Sequence, residues 1–133
     1  MSLQQTGLAV KRLQMRHHRE ANARLAALDV SLVQWDALRH LHENPDASLH
    51  DLAQLTFQSD QAFGTLAKRM IDRGLIVREA GPGRVLRHRL TENGERVRVE
   101  GSRLLTAVLE ASFAPLTPDE RDTFARLLQK LLG

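Results

Sequence analysis

Apolar residues recur at helical spacing in four long segments of the chain, with polar residues between them. The first segment runs from about Leu3 to Leu28, and a second begins after the favourable N-cap Ser31 and ends at Asn44-Pro45. Near the C-terminus, one helix is predicted from Thr91 to about Ala114 and a last one begins at Thr117. The pattern therefore predicts a mainly α-helical protein.

The central part of the chain has a different order of elements. Ser48 begins a short helix, Leu55–Gln58 forms a turn, and Ser59–Arg73 forms a second helix. Leu75–Glu79 and Val85–Leu90 alternate like strands on either side of a Gly-Pro-Gly loop. This order predicts a winged helix-turn-helix, in which a rigid helix can enter a DNA groove beside a cationic hairpin.

The predicted fold class is mainly α with a small β-hairpin wing, in one domain that spans residues 1–133. Residues 31–94 form the DNA-binding lobe in this interpretation, and residues 1–30 and 95–133 form dimerisation helices. The terminal helices are too apolar to remain uncovered, and a second copy of the chain is the simplest partner. Pairing would also place two reading helices about one DNA turn apart, ~34–36 Å.

The composition and the absence of certain motifs exclude several classes of protein and of site. The 133 residues are 42% apolar and 26% charged, without an apolar run near the ~20 residues of a membrane span. Cysteine is absent, which excludes disulfides and thiolate metal ligands and is compatible with the cytoplasmic location that we expect. We find no nucleophile-elbow motif and no phosphate-binding Gly-rich loop, so we expect a protein that is not an enzyme.

Positive charge is concentrated on one segment. The whole chain has a net charge of +3, whereas residues 68–89 hold seven cationic and two anionic side chains, a net charge of +5. A basic patch on a nearly neutral body is typical of a nucleic-acid-binding protein. Double-stranded DNA is therefore the predicted partner, and an acidic protein surface is the alternative partner for a winged-helix module.

Several motifs resemble the MarR-type winged-helix transcription regulators. They are Gln34–Leu38, Leu49–Ala53, Ser59–Arg73, Gly74–Arg78, Leu90–Gly94 and Leu116–Arg121. The resemblance covers nearly the whole chain. It implies a homodimer built from the first and the last two helices, which binds a palindromic operator. It also implies repression that a small aromatic, anionic ligand relieves.

The wing departs from that family's pattern. The family usually carries Asp-x-Arg or Asp-Arg-Arg before the second strand, where this chain has Pro82, Gly83 and Arg84. The loop is also about two residues shorter. Because no Asp braces the remaining arginine, we expect a wing with a shorter reach into the minor groove.

The expected DNA contacts lie mainly on the second helix of the motif, where exposed residues at helical spacing form one stripe. Gln61 can pair with a base, Thr65 offers a hydroxyl and a methyl group, and Gly64 permits close approach. The full set of expected contacts is Ser59, Gln61, Gly64, Thr65, Lys68, Arg69, Arg73, Arg84 and Arg87. As alternatives, Arg69 and Arg73 could pair with acidic residues, and Arg87 could lie on a solvated strand face.

The resemblance also suggests an effector pocket between the first, second and fifth helices, with Trp35 as a wall and Arg16 or His17 as the anion partner. The alternative for Trp35 is a place in the core. The six histidines raise a metal- or haem-responsive regulator as a further alternative. No two of them have the i, i+4 spacing that favours chelation, so we expect no metal and no cofactor.

Overall fold

The computed structural model describes residues 1–81, 83 and 86–133. Its elements follow the predicted order, as six helices and one hairpin within the described ranges. They are α1 (Leu3–Leu25), α2 (Leu32–Glu43), α3 (Leu49–Leu55), α4 (Asp60–Asp72), β1 (Ile76–Ala80), β2 (Leu86–Leu90), α5 (Glu92–Phe113) and α6 (Pro118–Leu132). The mainly helical fold class with a small hairpin is confirmed.

Side-chain caps determine where most helices begin. The hydroxyls of Ser31, Ser48 and Thr117 each accept a hydrogen bond from the backbone N–H three residues later. The Gln, Asp or Glu side chain at that later position in turn accepts a hydrogen bond from the backbone N–H of the cap residue. The predicted starts of α2, α3 and α6 are thus confirmed. At the other end of α1, the α-helix stops at Leu25 and a single 3₁₀ turn continues to Leu28, so the predicted single helix to Leu28 was slightly too long.

The core of the molecule lies beneath α4 and the hairpin. Leu38, Leu52, Met70, Leu75 and Ile76 are almost completely buried there. Such a continuous apolar cluster holds α2, α3 and α4 against one another and against the base of the hairpin.

Two glycines allow α5 to approach the rest of the protein closely. A Cβ at Gly101 would lie 2.3 Å from Cδ1 of Trp35, and a Cβ at Gly94 would lie 1.9 Å from the carbonyl oxygen of Leu75. Trp35 is buried against this part of α5, where its indole N–H donates to the carbonyl oxygen of Arg98 at 3.0 Å. The predicted alternative that Trp35 belongs to the core is therefore confirmed.

Thr91 closes the base of the hairpin. Its hydroxyl donates to the carbonyl oxygens of Gly74 at 2.6 Å and Leu75 at 3.1 Å, and it accepts a bond from the backbone N–H of Gly94. The end of α4, the start of β1 and the first turn of α5 thus meet at one side chain.

Candidate nucleic-acid interface

The helix α4 has one buried and one exposed face. Phe63, Ala67 and Met70 point into the core, and Ser59 caps the helix by accepting from the N–H of Ala62 at 3.0 Å. Ala62 itself is exposed, because the first turn of α4 extends beyond the core. The core therefore fixes the side of α4 that faces solvent.

The exposed face carries the predicted polar stripe. Gln61, Thr65 and Lys68 are all exposed, and the Thr65 hydroxyl donates to the backbone carbonyl of Gln61 at 3.1 Å. Gly64 lies between them, and a Cβ built there would have no atom within 4 Å. Packing within the protomer thus does not require a glycine in the middle of this helix. The open space beside Gly64 would permit the close approach of DNA that the sequence predicts.

A histidine–aspartate pair flanks the start of this stripe. Nδ1 of His50, on α3, lies 2.8 Å from Oδ1 of Asp60, the first residue of α4, and both side chains are largely exposed. The sequence analysis missed this pair. Its signal was the helix-turn-helix arrangement itself, which brings the N-terminal turns of the two helices together.

The two arginines near the end of α4 differ in orientation. Arg69 is exposed on the same side as Lys68. Arg73 turns towards the junction of α1 and α2, where Nη1 lies 3.4 Å from Oε1 of Gln34 and Nη2 lies 3.4 Å from Oδ2 of Asp29. The predicted alternative of an acidic partner is confirmed for Arg73. A phosphate contact by either arginine stays a prediction.

The hairpin presents arginines from an antiparallel register in which Arg78 pairs with His88 and Glu79 pairs with Arg87. Arg89 is exposed and bonds to Glu79 through Nη2 at 2.6 Å, which lowers the pKa of that carboxyl. Arg87 is half-buried, and its Nη1 atom is enclosed without an acceptor among the residues with a described position. Its contact with DNA stays a prediction.

Residues at the tip of the wing lie partly outside the described residues. They include Pro82 and Arg84, so the predicted contact of Arg84 with DNA also stays a prediction. Arg87 lies at the end of β2 nearest the tip. It contributes to the low pKa of the Asp51 carboxyl on α3, after the larger effect of hydrogen bonds from Ser48.

The three residues predicted for the effector pocket do not converge on one site. Nη2 of Arg16 lies 3.2 Å from Oγ of Ser112, and Nε2 of His17 lies 2.7 Å from the same hydroxyl. Trp35 lies elsewhere, with its ring buried between α2 and α5. In the described structure the two α1 residues thus share Ser112 rather than a hollow with Trp35, and their contact with an effector stays a prediction.

Two hollows nevertheless lie along α1. An apolar hollow of about 490 Å³, open to solvent, is lined mainly by α1, α5 and α6, and Phe113, Phe124 and His17 contribute to its wall. A groove of about 440 Å³ lies between α1, α2 and the α3–α4 turn, and Trp35 contributes one edge. The two share four lining residues. These are Gln14, His18, Leu32 and Leu105.

The described part of the chain offers neither a metal-binding cluster nor a membrane-spanning helix. No three His, Asp or Glu residues there come close enough to hold a metal ion. None of the helices within those ranges combines the length and the hydropathy needed to span a membrane.

Comparison with known proteins gives results that agree with one another. The model of the MarR family matches residues 28–84. The HTH-type transcriptional repressor Rv2887 of Mycobacterium tuberculosis is 30% identical over 114 residues, which cover 84% of this chain and 82% of the repressor. Its crystal structure with p-aminosalicylic acid aligns over 100% of both chains with a TM-score of 0.82 and 27% identity.

A second crystal structure of the same mycobacterial protein, in complex with DNA, has the same fold. It aligns over 98% of both chains with a TM-score of 0.82 and 24% identity. The helix-turn-helix, the hairpin and the long flanking helices described above are therefore shared over the full length of this chain. By its sequence and by its fold, the chain belongs to the MarR family of transcriptional regulators.

Proposed function

We propose that the protein is a transcription regulator that binds, as a pair of identical chains, to a palindromic operator in double-stranded DNA and represses transcription. The observation that carries the proposal is the exposed face of α4, where polar and cationic residues surround a glycine that the fold does not require. The structure of the mycobacterial relative with DNA supports the same partner. The protein is cytoplasmic and not an enzyme in this proposal.

Each side chain on α4 has a separate role. Gln61, near the N-terminal end of the helix, reads a base edge in the major groove, and Thr65 contacts a neighbouring base. Lys68 and Arg69, one turn further, neutralise phosphates and set the position of the helix without reading sequence. Both pairs are exposed and lie on the same side of α4.

Homodimer formation is supported by the apolar surface of the terminal helices. Leu127, Leu131 and Leu132 on α6 are exposed, as are Leu8 and Val10 on α1. Burying such side chains against a second copy would stabilise the pair by roughly 25 cal/mol for each Å² of apolar surface. The twofold arrangement would then present two α4 helices to successive major grooves.

Relief of repression by a small aromatic carboxylate is the third part of the proposal. The relative was crystallised with p-aminosalicylic acid, and both hollows along α1 have the volume of a small-molecule site. A ligand there would contact the helices that hold the two DNA-binding lobes apart. It could therefore favour a separation of the α4 helices that does not match DNA.

A gel-shift experiment tests the proposal directly. The DNA upstream of the protein's own gene should be retained at physiological salt in the presence of a scrambled competitor. With about six to eight phosphate contacts per dimer, log K should fall against log salt with a slope of roughly −5 to −7. An affinity that does not change with salt, or equal binding to the scrambled DNA, would contradict the proposal and favour an acidic protein partner.

A further inference from the structure

The N-terminal turns of α3 and α4 meet at one exposed pair of side chains. His50 lies in the first turn of α3, and Asp60 is the first residue of α4. Nδ1 of His50 lies 2.8 Å from Oδ1 of Asp60, although 61% and 62% of the two side chains are exposed. Because a carboxylate only accepts hydrogen bonds, Nδ1 carries the proton and donates it. A pair as exposed as this one contributes little to the stability of the fold.

Among the described residues, no backbone hydrogen bond accounts for the carboxylate at the start of α4. The corresponding acid in α3, Asp51, accepts a bond from the backbone N–H of the cap residue Ser48 at 3.0 Å and so completes a capping box. Asp60 makes no such bond, because it directly follows Ser59, the cap of α4. Within the described ranges, His50 is the one donor to the Asp60 side chain, and no donor bonds to Oδ2.

The pair lies at the end of α4 that we expect to meet DNA. In a helix-turn-helix, the N-terminal residues of the second helix approach base edges in the major groove. Asp60 directly precedes Gln61, and one turn later Gly64 leaves open space on the same side of the helix. A negative charge at this end repels the phosphates of any DNA sequence, so it weakens binding unless a donor on a base compensates for it.

A side chain that only accepts hydrogen bonds is selective among the bases. In the major groove, guanine presents the acceptors N7 and O6 and thymine presents the acceptor O4, all of which a carboxylate repels. Adenine presents an amino group, but its N7 acceptor lies beside it. Cytosine presents the N4 amino group without an acceptor on the same base. Cytosine is therefore the base that a free carboxylate oxygen such as Oδ2 of Asp60 favours.

We propose that Asp60 is a specificity-determining residue, whose Oδ2 atom accepts a hydrogen bond from the N4 amino group of a cytosine in each half-site of the operator. His50 is its positioning residue, because the bond to Oδ1 fixes the carboxylate and leaves Oδ2 available. This inference rests on the proposed function and deepens it by naming one base that α4 selects. The cytosine should lie next to the base that Gln61 reads, since the two residues are neighbours in the first turn of α4.

The test measures the sequence preference of the full-length protein on a randomised operator library, read by sequencing. The variant Asp60→Asn keeps the shape of the side chain, loses the charge and gains an amide donor. Its preference for cytosine at one position of each half-site should fall by about 10-fold. Its affinity for scrambled DNA should rise by about 2- to 5-fold, because the dimer loses two negative charges. Selectivity and nonspecific affinity should thus change in opposite directions.

Two substitutions of His50 test its positioning role. His50→Asn keeps a donor near the place of Nδ1, so the cytosine preference should stay within about 2-fold of the wild type. His50→Ala removes the donor, so this preference should fall by about 5-fold while the preference at the Gln61 position stays unchanged. Asp119, exposed in the first turn of α6, provides the matched control for Asp60. Asp119→Asn removes the charge from a first turn in the same way and should leave the sequence preference unchanged.

The substituted side chains are all exposed, so the variants should fold, and circular dichroism checks this. An unchanged sequence profile in Asp60→Asn would mean that the carboxylate serves only the helix dipole, and the inference would be wrong. A wild-type operator without a preferred cytosine beside the Gln61 position would overturn it too. Equal loss of preference in His50→Ala and His50→Asn would contradict positioning through the donor. A wild type that binds the library without any sequence preference would instead contradict the proposed function itself.

Discussion

The winged lobe and the last helix, α6, differ in how far their apolar side chains are buried within one protomer. In the lobe, Leu38, Leu52 and Met70 are almost fully buried within one protomer. In α6 no residue is buried, and Leu127 and Leu131 are exposed. The part that would contact DNA is thus stabilised by its own chain, whereas α6 exposes apolar side chains that a partner copy would cover.

The largest effect should come from removing that partner. Leu127→Asp combined with Leu131→Asp introduces charge at positions that one protomer leaves exposed, so the protomer should still fold. The dimer should dissociate, and operator affinity should fall by about 100-fold or more, because binding of the second half-site becomes independent of the first. Sedimentation and a gel shift measure the two consequences.

Leu86, an exposed leucine on the wing, supplies the control. Leu86→Asp should leave the sedimentation coefficient unchanged. If the α6 double variant also sedimented like the wild type, the terminal helices would not be the dimer interface.

The next effect concerns the contact between the two regions. Gly101→Ala places a Cβ against the Trp35 ring, so the free energy of unfolding should fall by about 1–3 kcal/mol in urea titrations. Gly64→Ala is the matched control in open space, and there the unfolding free energy should rise by up to about 1 kcal/mol. Equal effects of the two substitutions would show that Gly101 does not hold α5 against Trp35.

Within the lobe, base contacts and phosphate contacts should respond differently. Gln61→Ala should relax preference at one position of each half-site by about 1–3 kcal/mol, whereas Lys68→Ala should weaken all sequences alike and reduce the salt slope by about 2 per dimer. Binding to a randomised operator library, read by sequencing, checks the first effect. Lys11, exposed on α1, is the control for the second and should have no influence on the slope.

The smallest effect should be a dependence of lobe stability on pH. His88 is only 3% exposed, and burial lowers its pKa below the ordinary value of 6.5, with a smaller contribution from the charge of Arg78. The folded protein thus favours the neutral ring. Its contribution is complete above pH 6.5 and is lost as the pH falls, because the unfolded chain then binds the proton more readily.

Urea unfolding at several pH values measures this dependence. The His88→Leu variant should lose less stability on acidification than the wild type. The variant His42→Leu changes an exposed histidine and should follow the wild-type profile. A wild-type stability that does not fall below pH 6.5 would contradict the role of the buried ring.

Local patterns in the sequence were sufficient to predict the helices, the hairpin and the residues that cap the helices. Ser31, Ser59 and Thr117 are caps because each bonds to the backbone three residues away, a distance that the sequence shows directly. The exposed stripe of α4 was predictable for the same reason, since helical spacing places Gln61 and Thr65 on one side.

Contacts between distant segments were not predictable in this way. Arg73 contacts Asp29, and Arg16 contacts Ser112, although the residues of each pair are far apart in the sequence. Only the packing of the helices brings them together. The groove beside Phe57 likewise depends on where α1 lies relative to the α3–α4 turn. The sequence therefore predicted the exposed stripe of α4 better than the hollows along α1, whose lining residues come from separate elements.

The hydroxyl of Thr91 has a consequence for how the wing can evolve. Because it bonds to the carbonyls of Gly74 and Leu75 and caps α5, both ends of the hairpin are tied together at their root. Changes at the tip of the hairpin, such as insertions, deletions or an exchanged sequence, need not disturb the neighbouring helices, because they lie beyond these hydrogen bonds. If α4 reads the major groove as proposed, a longer tip or one grafted from another protein should therefore change minor-groove reach without changing that reading.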